Sequence, residues 1–171
     1  MMMFFTVAMA LTALAGEWLA MPMPDGFVTA HKQEAQAGAI EERIATGETV
    51  QRWTRMITMI RLNQDYPAAN YARAFEDSVL RDCKGATATP RIAATIGAHP
   101  AIASRIACPL NAATGLPETF LYRVATVGGR LHMVQVAFRR DASPADIAWA
   151  EARLDEALLC APGATEALCS R

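Results

Sequence analysis

The run Glu118–Arg139, ETFLYRVATVGGRLHMVQVAFR, decides how the rest of the chain is read. Two stretches rich in β-branched and aromatic residues flank Gly128-Gly129. Two glycines accept the positive φ that a tight hairpin turn needs, so Glu118–Val127 and Arg130–Arg139 are predicted to pair. With the period of two of a strand, Phe120, Tyr122 and Val124 share one face. Val134, Val136 and Phe138 share a face of the partner strand.

Working outward, Arg91–Ile96 and Ala101–Cys108 are predicted strands around the turn Gly97-Ala98-His99-Pro100. Thr54–Leu62 (TRMITMIRL) is the clearest strand of the first half. It places Met56, Thr58, Ile60 and Leu62 on one face and Ile57 and Met59 on the other. Apolar residues on both faces imply a central strand with a helix layer over one side. Further upstream, Phe27–Ala30 reads as a short strand, Gln33–Gly38 as a loop and Ala39–Ile44 as a second strand. Met21–Gly26 reads as a proline-broken entry with a turn at Asp25-Gly26.

Two segments carry helical spacing. In Pro67–Cys83, Tyr71, Phe75 and Val79 recur every four residues. Asp65 or Tyr66 is the expected cap, with Gly85 just past the end to take the left-handed position. Pro144–Cys160 has Ser143 as cap, Pro144 in the first turn and Asp146 near the positive helix end. Ile147, Ala150, Leu154 and Leu158 are its expected buried stripe, with Trp149 off it, covering a sheet edge. The order of strands, helix, strands, helix predicts an α+β fold: a single antiparallel sheet packed by two main helices.

The chain has 171 residues, 16 Lys+Arg against 17 Asp+Glu, and a formal net charge of −1. That balance argues against a nucleic-acid partner, which calls for a basic excess. An apolar share of 53% argues against disorder. The length suits one domain, expected over residues 16–171.

Residues 1–15 (MMMFFTVAMALTALA) contain no charged side chain. They are about as long as the apolar core of an export signal and too short to span a bilayer. Ala13-Leu14-Ala15 fits a small-x-small cleavage site, giving a mature chain from Gly16 with no stable membrane span. A second, weaker site follows Ala20. The four cysteines, Cys83, Cys108, Cys160 and Cys169, form no C-x-x-C pair and are even in number, which fits disulfides in an oxidising compartment. Of three possible connectivities, Cys83–Cys108 with Cys160–Cys169 is favoured. The first ties a helix end to a strand end, and the second pins the tail to the last helix.

Catalytic patterns are missing from the sequence. His31, His99 and His132 stand far apart and without metal-ligand spacing. Glu41 and Glu42 are neighbours on a strand and point to opposite faces. Ser78, Ser104, Ser143 and Ser170 lack a nucleophile-elbow context. No cofactor and no metal is therefore expected. The one local stretch with a recognition character is Arg52-Trp53-Thr54-Arg55, because Trp and Arg are enriched at binding hot spots. Trp53, Arg52 and Arg55 are the candidate binding residues.

Several stretches together resemble a group of uncharacterised secreted proteins of alphaproteobacteria. These are Gly47-Glu48-Thr49-Val50, Trp53-Thr54-Arg55-Met56, Cys108-Pro109, Pro117–Phe120, Val134–Arg139 and Leu159-Cys160. The element order is similar to periplasmic or lumenal α+β domains of the PsbP and DcrB sort. The resemblance implies a fold and a compartment and transfers no catalytic residue. The expected function is a non-enzymatic binding or accessory domain, exported to the periplasm or beyond. Its partner would be an envelope protein or a small ligand. The alternatives are a small-molecule or lipid-binding module, with Met133 and Met56 or Met59 lining a pocket, and a small secreted hydrolase.

Overall fold

In the computed structural model, residues 16–170 are described. The proposed signal segment, 1–15, lies outside them. The elements run β1 (Trp18–Ala20), β2 (Phe27–Ala35), β3 (Gly38–Ala45), β4 (Arg55–Leu62), α1 (Ala68–Asp82), β5 (Thr87–Ala88), β6 (Ile92–Ile96), β7 (His99–Asn111), β8 (Leu116–Val127), β9 (Arg130–Phe138), α2 (Pro144–Asp155) and β10 (Leu158–Cys160), with a 3₁₀ turn at Ala167–Cys169.

The expected single sheet packed by two main helices is corrected by this architecture. Strands dominate, and they form two sheets. The large one has eight antiparallel strands, ordered β2-β3-β4-β9-β8-β7-β5, with β6 also paired to β7. The small one pairs β1 with β10, Trp18 opposite Cys160. Two segments, the end of β2 and the stretch after α2, account for the difference. Gln33–Gly38 was expected as a loop because its side chains are small and polar, yet β2 runs to Ala35 and pairs with β3 down to Ala35 opposite Gly38. An edge strand exposed along its length has no need of an apolar alternation. Leu158–Cys160 was expected as the last turn of α2, but that helix ends at Asp155 and the chain turns into β10. Leu158, Leu159 and Cys160 suit a strand as well as a helix, and the partner strand β1 decides between them.

The β8–β9 hairpin sits inside the sheet as the sequence predicts. Val127 pairs with Arg130 around Gly128 (φ 58°) and Gly129 (φ 72°). Both faces of the sheet are buried, in two separate cores. Phe120, Tyr122, Val124, Leu131, Met133 and Ala137 form one core with Met56 and Ile44. Leu121, Val134, Val136, Phe138, Ile57 and Met59 form the other. Helix α1 covers the first through Tyr71, Ala72, Phe75 and Val79. Helix α2 covers the second through Ala150 and Leu154, with Trp149 against Phe27 and Phe138. Helix α1 is also the crossover that carries the chain from central β4 to β5 at the far edge.

Candidate functional site

All four cysteines are closed, Cys83 to Cys108 and Cys160 to Cys169. The first joins the residue capping α1 to β7. The second joins β10 to the 3₁₀ turn, so it pins the tail to the small sheet and not to α2.

Trp53, Arg52 and Arg55 diverge. Trp53 is buried in the core on the α1 face, and the Arg139 guanidinium lies 4.1 Å from its ring centroid. Arg139 also donates to the Gln51 carbonyl at 2.6 Å, and the Glu48 carboxylate accepts from Thr54 Oγ1 at 2.6 Å, which closes the loop around the indole. Arg52 is exposed. Arg55 points to the opposite face, 5.1 Å from the Trp149 ring centroid. Met56 and Met133 are buried in the core of the α1 face and Met59 in the other.

The buried polar residue Glu76 was not singled out by sequence reasoning. Glu76 of α1 is 5% exposed. Its carboxylate accepts from Tyr122 Oη at 2.7 Å and from Arg91 Nη1 at 2.5 Å. Arg91 follows Pro90, in the break between β5 and β6. Ser104, opposite Tyr122 in the strand register, donates to the Thr89 carbonyl at 2.9 Å. The signal for Glu76 was its spacing: it falls four residues after Ala72, on the buried stripe. Burial, and then the hydrogen bond to Glu76, hold the Tyr122 phenol well above its ordinary pKa. The phenol therefore stays protonated, and with one donor on each carboxylate oxygen this chain of groups fastens α1 to the sheet.

His132 is fully buried, and neither ring nitrogen has a hydrogen-bond partner among the described residues. Burial first, then the neighbouring Arg61 charge, pull its pKa down from 6.5 to about 4. The residue shares the parity of Val134 and Val136, the face predicted to be buried. His31 and His99 lie on β2 and β7, and among the described residues no group of three His, Cys, Asp or Glu stands ready to hold a metal.

Of the open clefts along the sheet, two adjoin the helices. One, of about 600 Å³, lies between α2 and β6–β8. Its Arg123 is engaged with the Thr95 and Leu154 carbonyls and with Asp155. The other, of about 420 Å³, opens beside the C-terminal half of α1. Phe75 and Val79 of the helix, Phe120 and Gln135 of the sheet, and the Cys83–Cys108 disulfide line it. Aromatic packing fixes its floor, with Phe75 and Phe120 ring centroids 5.7 Å apart.

These features define a small disulfide-stapled antiparallel-sheet domain with one helix on each face and a cleft beside each helix. No protein-family model and no curated protein matches the chain. It is similar to the solved structure of LpqN of Mycobacterium tuberculosis, described as involved in cell envelope biogenesis. That match has a TM-score of 0.50 and 16% identity over 86% of this chain and 87% of that one. A structure from Bacteroides thetaiotaomicron VPI-5482 matches with a TM-score of 0.49 and 11% identity, over 86% of this chain and 47% of that one. At these identities the likeness to LpqN is one of fold.

Proposed function

We propose that the chain is an exported, cell-envelope-associated domain that acts by binding and has no catalytic centre of its own. The observation that carries this reading is the closure of all four cysteines in two disulfides, a state that persists in oxidising compartments and is rare in the cytosol. The fold likeness to LpqN points the same way, as does the resemblance to secreted alphaproteobacterial proteins and PsbP- and DcrB-like domains. No helix among the described residues is long and apolar enough to cross a membrane. Removal of residues 1–15 is part of the proposal. Cleavage after Ala20 instead would delete β1, whose Ala20 packs on the Cys160–Cys169 disulfide.

The experiment is intact mass in periplasmic and cytosolic fractions, with thiol alkylation before and after reduction. A periplasmic species starting at Gly16, alkylated only after reduction, supports the reading. A full-length cytosolic species with four free thiols overturns it. The candidate binding residues Trp53, Arg52 and Arg55, which share no single surface, are tested on the same protein. For a recognition anchor, Trp53→Ala removes partner capture and leaves the melting temperature unchanged. For a core residue it lowers both together.

The cleft under α1 favours a second, compatible reading, in which the bound partner is a small molecule held between helix and sheet.

A further inference from the structure

The two charged residues that line the α1 cleft are both acidic. Asp82 from the helix and Glu118 from β8 line it, and neither Lys nor Arg does. The Glu118 carboxylate accepts from Asn111 Nδ2 at 2.7 Å. Asp82 accepts from the Ser78 hydroxyl at 3.2 Å and from Arg81 Nε at 3.1 Å, and the Arg81 side chain is 68% exposed and does not itself line the cleft. Phe75 and Phe120 line the same cleft. Gln135 contributes a partly buried amide that makes no hydrogen bond to another described residue.

We propose that this cleft binds a small organic ammonium ion, an apolar or aromatic body carrying one positive charge. Three physical arguments select that class. A volume of about 420 Å³ lies within the range of pockets that enclose small ligands, roughly 300–1,000 Å³. The partly exposed Phe75 ring can attract a cation through its quadrupole, and the apolar lining gives an apolar body somewhere to leave water. Glu118, held by a neutral amide, and Asp82, partly offset by Arg81, leave the lining net negative, which rewards a positive head and disfavours fatty acids and phosphate headgroups. The disulfide fixes one wall before the ligand arrives, so little ordering is left to oppose binding.

The inference rests on the binding role proposed above, but it fails separately. A periplasmic, fully oxidised protein that ignores ammonium ions keeps the first reading and loses this one. The test uses three probes with the same phenyl-alkyl body and different heads: phenethylammonium, 2-phenylethanol and 3-phenylpropionate. They are titrated into the oxidised protein and followed by calorimetry and by NMR shifts. The expected order is ammonium, then alcohol at least about tenfold weaker, then carboxylate, with the ammonium affinity falling as salt rises. Shifts should concentrate on Phe75, Val79 and Phe120. Asp82→Asn with Glu118→Gln should weaken the ammonium about tenfold and leave the alcohol unchanged. Val79→Trp should fill the cleft and remove binding of all three. Ala113→Trp, on the exposed loop wall, makes the same test if the first variant does not fold. The carboxylate binding as tightly as the ammonium, or no ammonium-induced shift at those residues, overturns the proposal.

Discussion

Helix α2 starts on a cap contained in four consecutive residues, whereas α1 starts on Pro67 with no side-chain cap and no acidic residue in its first turn. In α2 the Ser143 hydroxyl accepts from the Asp146 N–H at 3.2 Å, and the Asp146 carboxylate accepts back from the Ser143 N–H at 3.1 Å. Arg140 reinforces that carboxylate at 2.6 Å and holds its pKa down at about 2. Helix α1 draws its definition from elsewhere. It is fastened at its middle by Glu76 to Tyr122 and Arg91, and at its end by the Cys83–Cys108 disulfide, partners 15 to 46 residues away in sequence. A helix that caps itself can form early and dock late. A helix without a local start depends on its docking partners, so on the α1 face the helix and the core should be lost together.

The comparison breaks first at the disulfides. Removing Cys83–Cys108 as a paired alanine variant frees a loop spanning 25 residues and should cost about 3.5 kcal/mol in denaturant unfolding. The Cys160–Cys169 pair should cost about 2.7 kcal/mol for its shorter loop. An equal or larger loss at Cys160–Cys169 would mean that the small sheet, and not α1, anchors the domain.

The next effect belongs to the α2 face. His132 sits on β9, opposite Arg61 and Ala125 in the strand register, with Glu17, Arg130 and His99 also acting on its charge. Its pKa is lowered to about 4 in the fold from 6.5. Between those values the unfolded chain takes up a proton that the folded chain refuses. Stability should therefore be complete above pH 6.5 and fall by about 3 kcal/mol on acidification to pH 4. His132→Leu should flatten this stretch of the stability–pH curve. An unchanged slope would place the acid sensitivity in another group.

On the α1 face, Glu76→Ala leaves the buried Tyr122 hydroxyl without an acceptor and should cost about 2 kcal/mol. Glu76→Gln keeps an acceptor for that hydroxyl and should cost less. The smallest effect is Asp146→Ala, about 1 kcal/mol for the lost capping box. Its signature should be fraying of α2 in hydrogen exchange while α1 stays protected. Equal deprotection of both helices would remove the distinction between them.

How much was legible follows the same division. The β8–β9 hairpin could be read because Gly128-Gly129 and the alternation on either side are local features. The α2 start, the helical stripe Tyr71-Phe75-Val79 and the alternation of β4 were legible for the same reason. The extension of β2 to Ala35, the end of α2 at Asp155 and the existence of the small sheet were not. Each depends on a backbone partner remote in sequence: β3 for β2, and β1 for β10. The candidate site was legible only in its parts. Phe75, Val79 and Phe120 were placed correctly on buried faces, but the spacing of residues says nothing about a gap between helix and sheet.

The sequence by itself determined what nearest neighbours can enforce: turns through glycine φ, strand faces through alternation, a helix start through Ser143 and Asp146. Only the tertiary structure decided what long-range contacts enforce. It set Glu76 against Tyr122 and Arg91, buried His132 between Arg61 and Ala125, turned Trp53 into the core, and gathered Asp82, Glu118 and two phenylalanines around one cleft. The reason is that burial and charge act through space, and their energies depend on neighbours that only the folded chain supplies.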